Sequence, residues 1–248
     1  MKIGLAMAVV GAGLVAGCQA VGGKENRAME RGILARSVVA EGKERKYVVY
    51  VPRDYDGDKA WPVIVFLNGM GECGEDGQKQ LTVGLMPAVN SAAGAWPFIV
   101  VFPQKPKSET QWIDHDDLVM VALAKTMKEF KVDKDRVYLT GLSQGGAGTW
   151  AIGARHADVF AAIAPVCGYG TLSESEAKAL KDMPLWAFHG GKDDVVPPRK
   201  SEILIESVRA AGGEPKLTIF PDANHNSWDA AYRTQKLNEW FLKQQKSR

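Results

Sequence analysis

Ser143 is the residue around which chemistry is most easily built. It lies in Val137-Tyr138-Leu139-Thr140-Gly141-Leu142-Ser143-Gln144-Gly145-Gly146, with a glycine two residues away on each side. A β-branched apolar run that breaks at Gly141 and continues into a helical pattern is the G-x-S-x-G elbow, which lifts a serine hydroxyl above the edge of a sheet. A serine hydroxyl is a weak nucleophile, so it needs a neighbouring base, and that base needs a group to orient it. The chain has four histidines, His115, His156, His189 and His225. His115 and His156 stand in polar contexts and read as solvated. His189 ends an apolar run, where packing or a local hydrogen bond is its simplest role, and His225 lies in the polar loop Pro221–Trp228. Two adjacent carboxylates, Asp193 and Asp194, follow His189. Attack on a carbonyl also creates an oxyanion, which preorganised donors must stabilise. The expected donors are the amide of Gln144, next to the nucleophile, and that of Met70, in the glycine-rich loop Asn68–Gly74 where backbone can approach a substrate closely. This chemistry calls for no metal and no organic cofactor.

The elements that must position these groups alternate along the chain. Ile33–Ala40 and Arg45–Val51 read as two strands joined at Glu41-Gly42-Lys43. Further strands are predicted at Pro62–Leu67, Phe98–Phe102, Arg136–Thr140, Phe160–Val166, Leu185–His189 and Lys216–Phe220. Helices are predicted at Leu81–Asn90, Asp116–Phe130, Gly146–His156, after an N-capping Ser173, at Arg199–Ala211 before Gly212-Gly213, and at Asp229–Gln244. Two strands followed by β/α alternation imply a mostly parallel sheet of about eight strands with helices on both faces. An elbow after the fifth strand matches the α/β-hydrolase fold, whose sites lie at the carboxyl ends of the strands. That fold orders its triad as serine, acid, histidine. His225, after the last strand, is therefore the expected base, and Asp193 or Asp194 the acid.

The chain resembles the small secreted α/β-hydrolase esterases labelled carboxylesterase, phospholipase/carboxylesterase-like or predicted peptidase. The resemblance spans about Tyr47 to Trp240. It rests on Tyr50-Val51-Pro52, Trp61-Pro62-Val63-Ile64, the Asn68–Gly74 loop, Phe102-Pro103-Gln104, Trp112, the elbow with Gly148-Thr149-Trp150, Ala164-Pro165-Val166-Cys167-Gly168 and His225-Asn226-Ser227-Trp228. Hydrolases of this fold often carry D-x-x-V-P after the seventh strand. Asp193, with Val196 and Pro197, fits that pattern and so becomes the implied acid, with Asp194 as the alternative. Two departures stand out: Asn68 replaces the family's usual histidine, and Cys73 its usual arginine. Because the oxyanion donors are backbone groups, activity is expected to survive both. The stretch Gly168–Pro184 is too short for a large lid domain, and Trp112 and Trp228 are expected to line an open cleft. The resemblance implies a serine carboxylic-ester hydrolase acting on a small-molecule or polysaccharide-linked ester, such as acetyl or feruloyl groups on plant polysaccharide. A serine peptidase of the same fold and a non-catalytic surface binding module are the alternatives.

Composition bounds the rest. At 248 residues, 46% hydrophobic and 24% charged, the chain suits one globular domain. A net charge of +2, without a basic stripe interleaved with aromatics, argues against nucleic acid as a partner. A monomer or small homo-oligomer is expected. Lys2 followed by the apolar run Ile3–Val15 is too short to span a bilayer and reads as a signal peptide. Leu14-Val15-Ala16-Gly17-Cys18 resembles a bacterial lipobox, which implies a leader over 1–17, lipidation at Cys18, a tether over 18–31 and a catalytic domain over 32–248. Export with a lipid anchor is thus expected; Gln19, in place of an aspartate that would signal inner-membrane retention, favours the outer membrane. In an oxidising compartment Cys73 and Cys167 would be free to pair or to remain buried thiols.

Overall fold

The computed structural model describes residues 29–234 and 236–246. The leader, Cys18 and most of the tether lie outside the described residues. The first hairpin is built by β1 (Gly32–Ala40) and β2 (Lys43–Val51). Its two connecting residues, Glu41 and Gly42, have φ of 53° and 72°, the left-handed pair that matches the twist of a tight hairpin. The strands β3 (Trp61–Leu67), β4 (Ile99–Pro103), β5 (Val132–Leu142), β6 (Ala162–Val166), β7 (Trp186–Gly190) and β8 (Lys216–Phe220) complete one sheet. Among the described residues it has eight strands in the order β1-β2-β4-β3-β5-β6-β7-β8. β1–β2 and β2–β4 pair antiparallel, and every other pair is parallel. This is the architecture of the α/β-hydrolase fold.

Strand side chains alternate between two cores. Val63, Val65 and Leu67 face the side covered by α2 (Asp116–Glu129), α3 (Gln144–Arg155), α4 (Glu174–Leu180) and α5 (Arg199–Ala210). Ile64 and Phe66 face α1 (Leu85–Ser91), α6 (Trp228–Thr234) and α7 (Leu237–Leu242). Every residue of β3 is buried, which is why it reads as an unbroken apolar run.

Three elements differ from expectation. α1 starts at Leu85, not Leu81: Gly84 has φ 76°, and a Cβ there would lie 2.6 Å from Leu142 Cδ2 and 2.8 Å from Phe66 Cζ, so the chain turns there before it coils. A short 3-10 turn, Lys79–Leu81, precedes it. β5 extends to Val132 at one end and Leu142 at the other, because pairing with β3 carries its polar start along. The single C-terminal helix is two, with Lys236 in the left-handed region at φ 52°.

Candidate active site

The elbow is fixed by two glycines. A Cβ on Gly141 would stand 2.5 Å from Gly145 O and 2.7 Å from Leu67 O, and one on Gly145 would stand 2.0 Å from Leu67 O. With no side chains in the way, β5 passes directly into α3 through Ser143, whose φ of 53° is the strained tip of the turn. The Ser143 amide donates to Val166 O at 2.9 Å, tying the tip to β6.

Two loops at the same sheet edge bring the other groups in. His225, after β8, places Nε2 2.9 Å from Ser143 Oγ and Nδ1 2.8 Å from Asp193 Oδ2. Asp193, after β7, is buried, and its Oδ1 accepts the amides of Val195 at 3.0 Å and Val196 at 2.8 Å. Asp194 is exposed. A buried carboxylate needs such donors to stay charged, and the turn at Asp193-Asp194-Val195-Val196 gives them to the first aspartate only. The structure thus brings Ser143, His225 and Asp193 into one hydrogen-bonded chain.

Gln144 is the first residue of α3 and Met70 the first of a 3-10 turn, Met70–Glu72. Amides in a first turn have no intrahelical acceptor and are available to an anion. Both residues line a cleft of about 350 Å³ with Ser143, Tyr169, Val195, Val196, Pro197 and Lys200. The Asn68–Gly74 loop is held from below. Asn68 Oδ1 accepts the Lys105 amide at 3.2 Å, Gly74 N donates to Lys105 O at 2.9 Å, and Trp112 Nε1 donates to Asn68 O at 2.8 Å. Lys105 is fully buried, and its ammonium donates to Thr110 O at 2.6 Å and to Lys107 O. The Gln144 side chain donates to Ser108 O at 2.9 Å and Thr110 O at 3.1 Å, so the neighbour of Ser143 and the Asn68–Gly74 loop share one support.

Several expectations need correction. Trp112 lines no cleft: it is fully buried in the core below the Asn68–Gly74 loop, against α3 at Gly148. Trp228 is half-buried and is not among the residues lining the cleft at Ser143; its ring stands edge-on to His225, with centroids 5.5 Å apart at 86°. His115 is not solvated but buried, between Glu41 Oε1 at 2.7 Å and Thr110 Oγ1 at 2.8 Å. His156 bonds Asp116 at 2.9 Å. Cys73 and Cys167 are unpaired thiols. Cys73 sits between Asn68 Nδ2 at 3.7 Å and Gly69 O at 3.6 Å. Burial pushes the Cys167 thiol up to about 12, which keeps it protonated and inert beside the serine. Burial also raises the Glu72 carboxyl, whose Oε2 bonds nothing among the described residues. Cys167, Asp193 and His225 cluster closely enough to suggest a metal, but both ring nitrogens of His225 are already engaged by Ser143 and Asp193. Tyr169, Val195 and Lys200 are cleft residues that the motifs do not mark; the signal for Tyr169 and Val195 is their place in the loops after β6 and β7, while Lys200 lies in the first turn of α5.

The chain is similar to several known proteins. Residues 100–236, from β4 to the start of α7, match the model of the dienelactone hydrolase family. A bifunctional acetylxylan esterase/xylanase from Neocallimastix patriciarum is 27% identical over 179 residues, 68% of this chain but only 24% of that protein. A thermostable esterase of known structure is 30% identical with a TM-score of 0.74, over 86% of this chain and 63% of the other. A ferulic acid esterase from Anaeromyces mucronatus shares the fold, with a TM-score of 0.65 at 19% identity over 89% of this chain and 95% of its own.

Proposed function

The chain belongs to the dienelactone hydrolase family, and on that premise we propose that it is a serine ester hydrolase working through an acyl-enzyme on Ser143. The observation that carries this reading is His225, which bridges Ser143 Oγ at 2.9 Å and Asp193 Oδ2 at 2.8 Å. Ser143 Oγ attacks the ester carbonyl while His225 Nε2 takes its proton, and Asp193 holds His225 with Nδ1–H pointing inward and stabilises the imidazolium. The Met70 and Gln144 amides take the oxyanion; loss of one such donor raises the barrier by about 2.7–4 kcal/mol. Collapse breaks the bond to the alcohol, which leaves with the proton from His225. Water, deprotonated by His225, then attacks the acyl-enzyme and frees Ser143.

The substrate reading is an acetyl or feruloyl ester carried by plant polysaccharide. The acetylxylan esterase relative supports the acetyl group. The apolar rim of the cleft, where Met70 and Val195 are 60% and 65% exposed, suits an acyl chain or aromatic ring. Turnover of p-nitrophenyl acetate tests the chemistry. Ser143→Ala should lose at least about three orders of magnitude in kcat, as removal of a triad member does. A wild-type protein inert to every activated ester would overturn the proposal. Acetylated xylan and methyl ferulate, assayed side by side, then decide the acyl preference.

A further inference from the structure

Lys105, just past the end of β4, is fully buried, yet its ammonium pairs with no carboxylate among the described residues. It donates to two carbonyls, Thr110 O at 2.6 Å and Lys107 O. The acidic side chains nearby, Glu109 and Asp114, are exposed. Each spends an oxygen elsewhere, Glu109 on the Ser108 hydroxyl at 2.9 Å and Asp114 on the Gln111 amide at 2.8 Å. Burying an unpaired ammonium is costly, and burial accordingly lowers the Lys105 pKa, with Cys73 acting the other way. Neither carbonyl depends on the ammonium. Thr110 O also accepts Gln144 Nε2 at 3.1 Å, and Lys107 O the Thr110 hydroxyl at 3.0 Å. The charge is therefore expensive to bury and is not required by its neighbours, which points to a role in the reaction.

Strand order sets where this charge acts. Lys105 follows β4, the Asn68–Gly74 loop follows β3, Ser143 follows β5 and His225 follows β8. In the order β4-β3-β5-β6-β7-β8, Lys105 and that loop enter from one side of Ser143 and His225 from the other. The Lys105 main chain is pinned to the loop, its amide to Asn68 Oδ1 at 3.2 Å and its carbonyl to Gly74 N at 2.9 Å. A single oxygen, Thr110 O, lies between the ammonium and the side chain of Gln144. Building on the ester-hydrolase reading, we propose that Lys105 is a positioning residue that also lends its charge: it holds Thr110 O against the Gln144 side chain and places a buried cation on the side of Ser143 where the oxyanion forms. Attack by Ser143 creates an oxyanion and an imidazolium on His225. A cation nearer the first than the second favours that pair of charges. Its place is fixed before the reaction starts, and the buried setting weakens screening by water.

Three variants test this on p-nitrophenyl acetate, with rates divided by the number of sites that a fluorophosphonate probe labels. Lys105→Met removes the charge and both donated bonds; Lys105→Gln keeps a donor without the charge; Lys105→Arg keeps the charge. For Lys105→Met and Lys105→Gln, kcat per labelled site should fall roughly tenfold with KM nearly unchanged, the scale of a unit charge acting through the protein interior. Affinity for a trifluoromethyl ketone should weaken by a similar factor. In that adduct Ser143 Oγ bonds the ketone carbon, the carbonyl π pair becomes the oxyanion and the Ser143 proton passes to His225, so binding reads the same charges. Lys105→Arg should recover most of both losses. The melting temperature of Lys105→Met should equal or exceed that of the wild type, because an apolar side chain of similar length relieves the cost of the buried charge. Wild-type turnover in Lys105→Met, or a Lys105→Gln protein as active as Lys105→Arg, would overturn the proposal. If Lys105→Met does not fold, Lys105→Gln decides: turnover and ketone affinity equal to wild type there overturn it. An inactive wild type would instead sink the ester-hydrolase reading, so the two failures are distinct.

Discussion

At the scale of single residues, the site is made by atoms that leave no room. Gly145→Ala would put a methyl 2.0 Å from Leu67 O, a backbone atom that cannot move without disturbing β3. The variant should give little folded protein or, where it folds, little esterase activity, measured by soluble yield and p-nitrophenyl acetate turnover. Gly71→Ala is the matched control, since nothing lies within 4 Å of its added methyl. Its melting temperature should match the wild type. His189 adds a pH dependence to stability. Its pKa is lowered by burial in the folded state, whereas in the unfolded chain it titrates near its ordinary value of about 6.5. Below that pH the unfolded chain gains a proton that the folded site resists. The contribution is therefore present above about pH 6.5 and lost as pH falls toward the folded value. Thermal melts should show a steeper fall below that pH for wild type than for His189→Gln; parallel curves would contradict the linkage.

At the scale of elements, the segment between β6 and β7 holds only α4, so among the described residues no large lid covers Ser143. α4 opens with a capping box: Ser173 Oγ accepts the Glu176 amide while Glu176 accepts the Ser173 amide. Ser173→Ala should cost about 0.5–2 kcal/mol in urea unfolding without changing kcat, because the cap touches no group of the cleft. With no lid to displace, hydrolysis of a soluble short ester should follow simple saturation, with no jump in rate at its solubility limit. The same elements show what a reader of sequence sees. The succession of strands along the chain, the elbow and the residues Ser143, Asp193 and His225 were legible because fully buried strands read as apolar runs and because a strained turn demands glycine at Gly141 and Gly145. The break at Lys236 was not, since a lysine in the left-handed region leaves no mark in the residue pattern. Nor were the fates of the tryptophans and His115. A large aromatic beside a glycine-rich loop fits either a cleft or a core, and only packing decides: Trp112 lies fully buried with its indole N–H spent on Asn68 O.

At the scale of the whole molecule, one sheet carries Ser143, Asp193 and His225 in or just after its strands, at the carboxyl ends. No helix among the described residues is long and apolar enough to cross a membrane. We propose attachment through a lipid at Cys18, a residue that lies outside the described ones. A lipid anchor works by burying acyl chains, at about 0.8 kcal/mol per CH₂, while the folded domain stays in water. Anchoring and catalysis should consequently separate. Cys18→Ser, expressed with its leader in a bacterial host, should lose the mass of the attached lipid and move from the membrane to the soluble fraction. Its kcat/KM on a soluble ester should be unchanged, because nothing at Ser143 depends on the anchor. On acetylated insoluble polysaccharide the comparison should depend instead on which membrane face presents the domain. An unaltered mass and membrane fraction in Cys18→Ser would show that the cysteine carries no lipid; a fall in soluble-ester turnover would show that the N-terminal segment contributes to the catalytic fold.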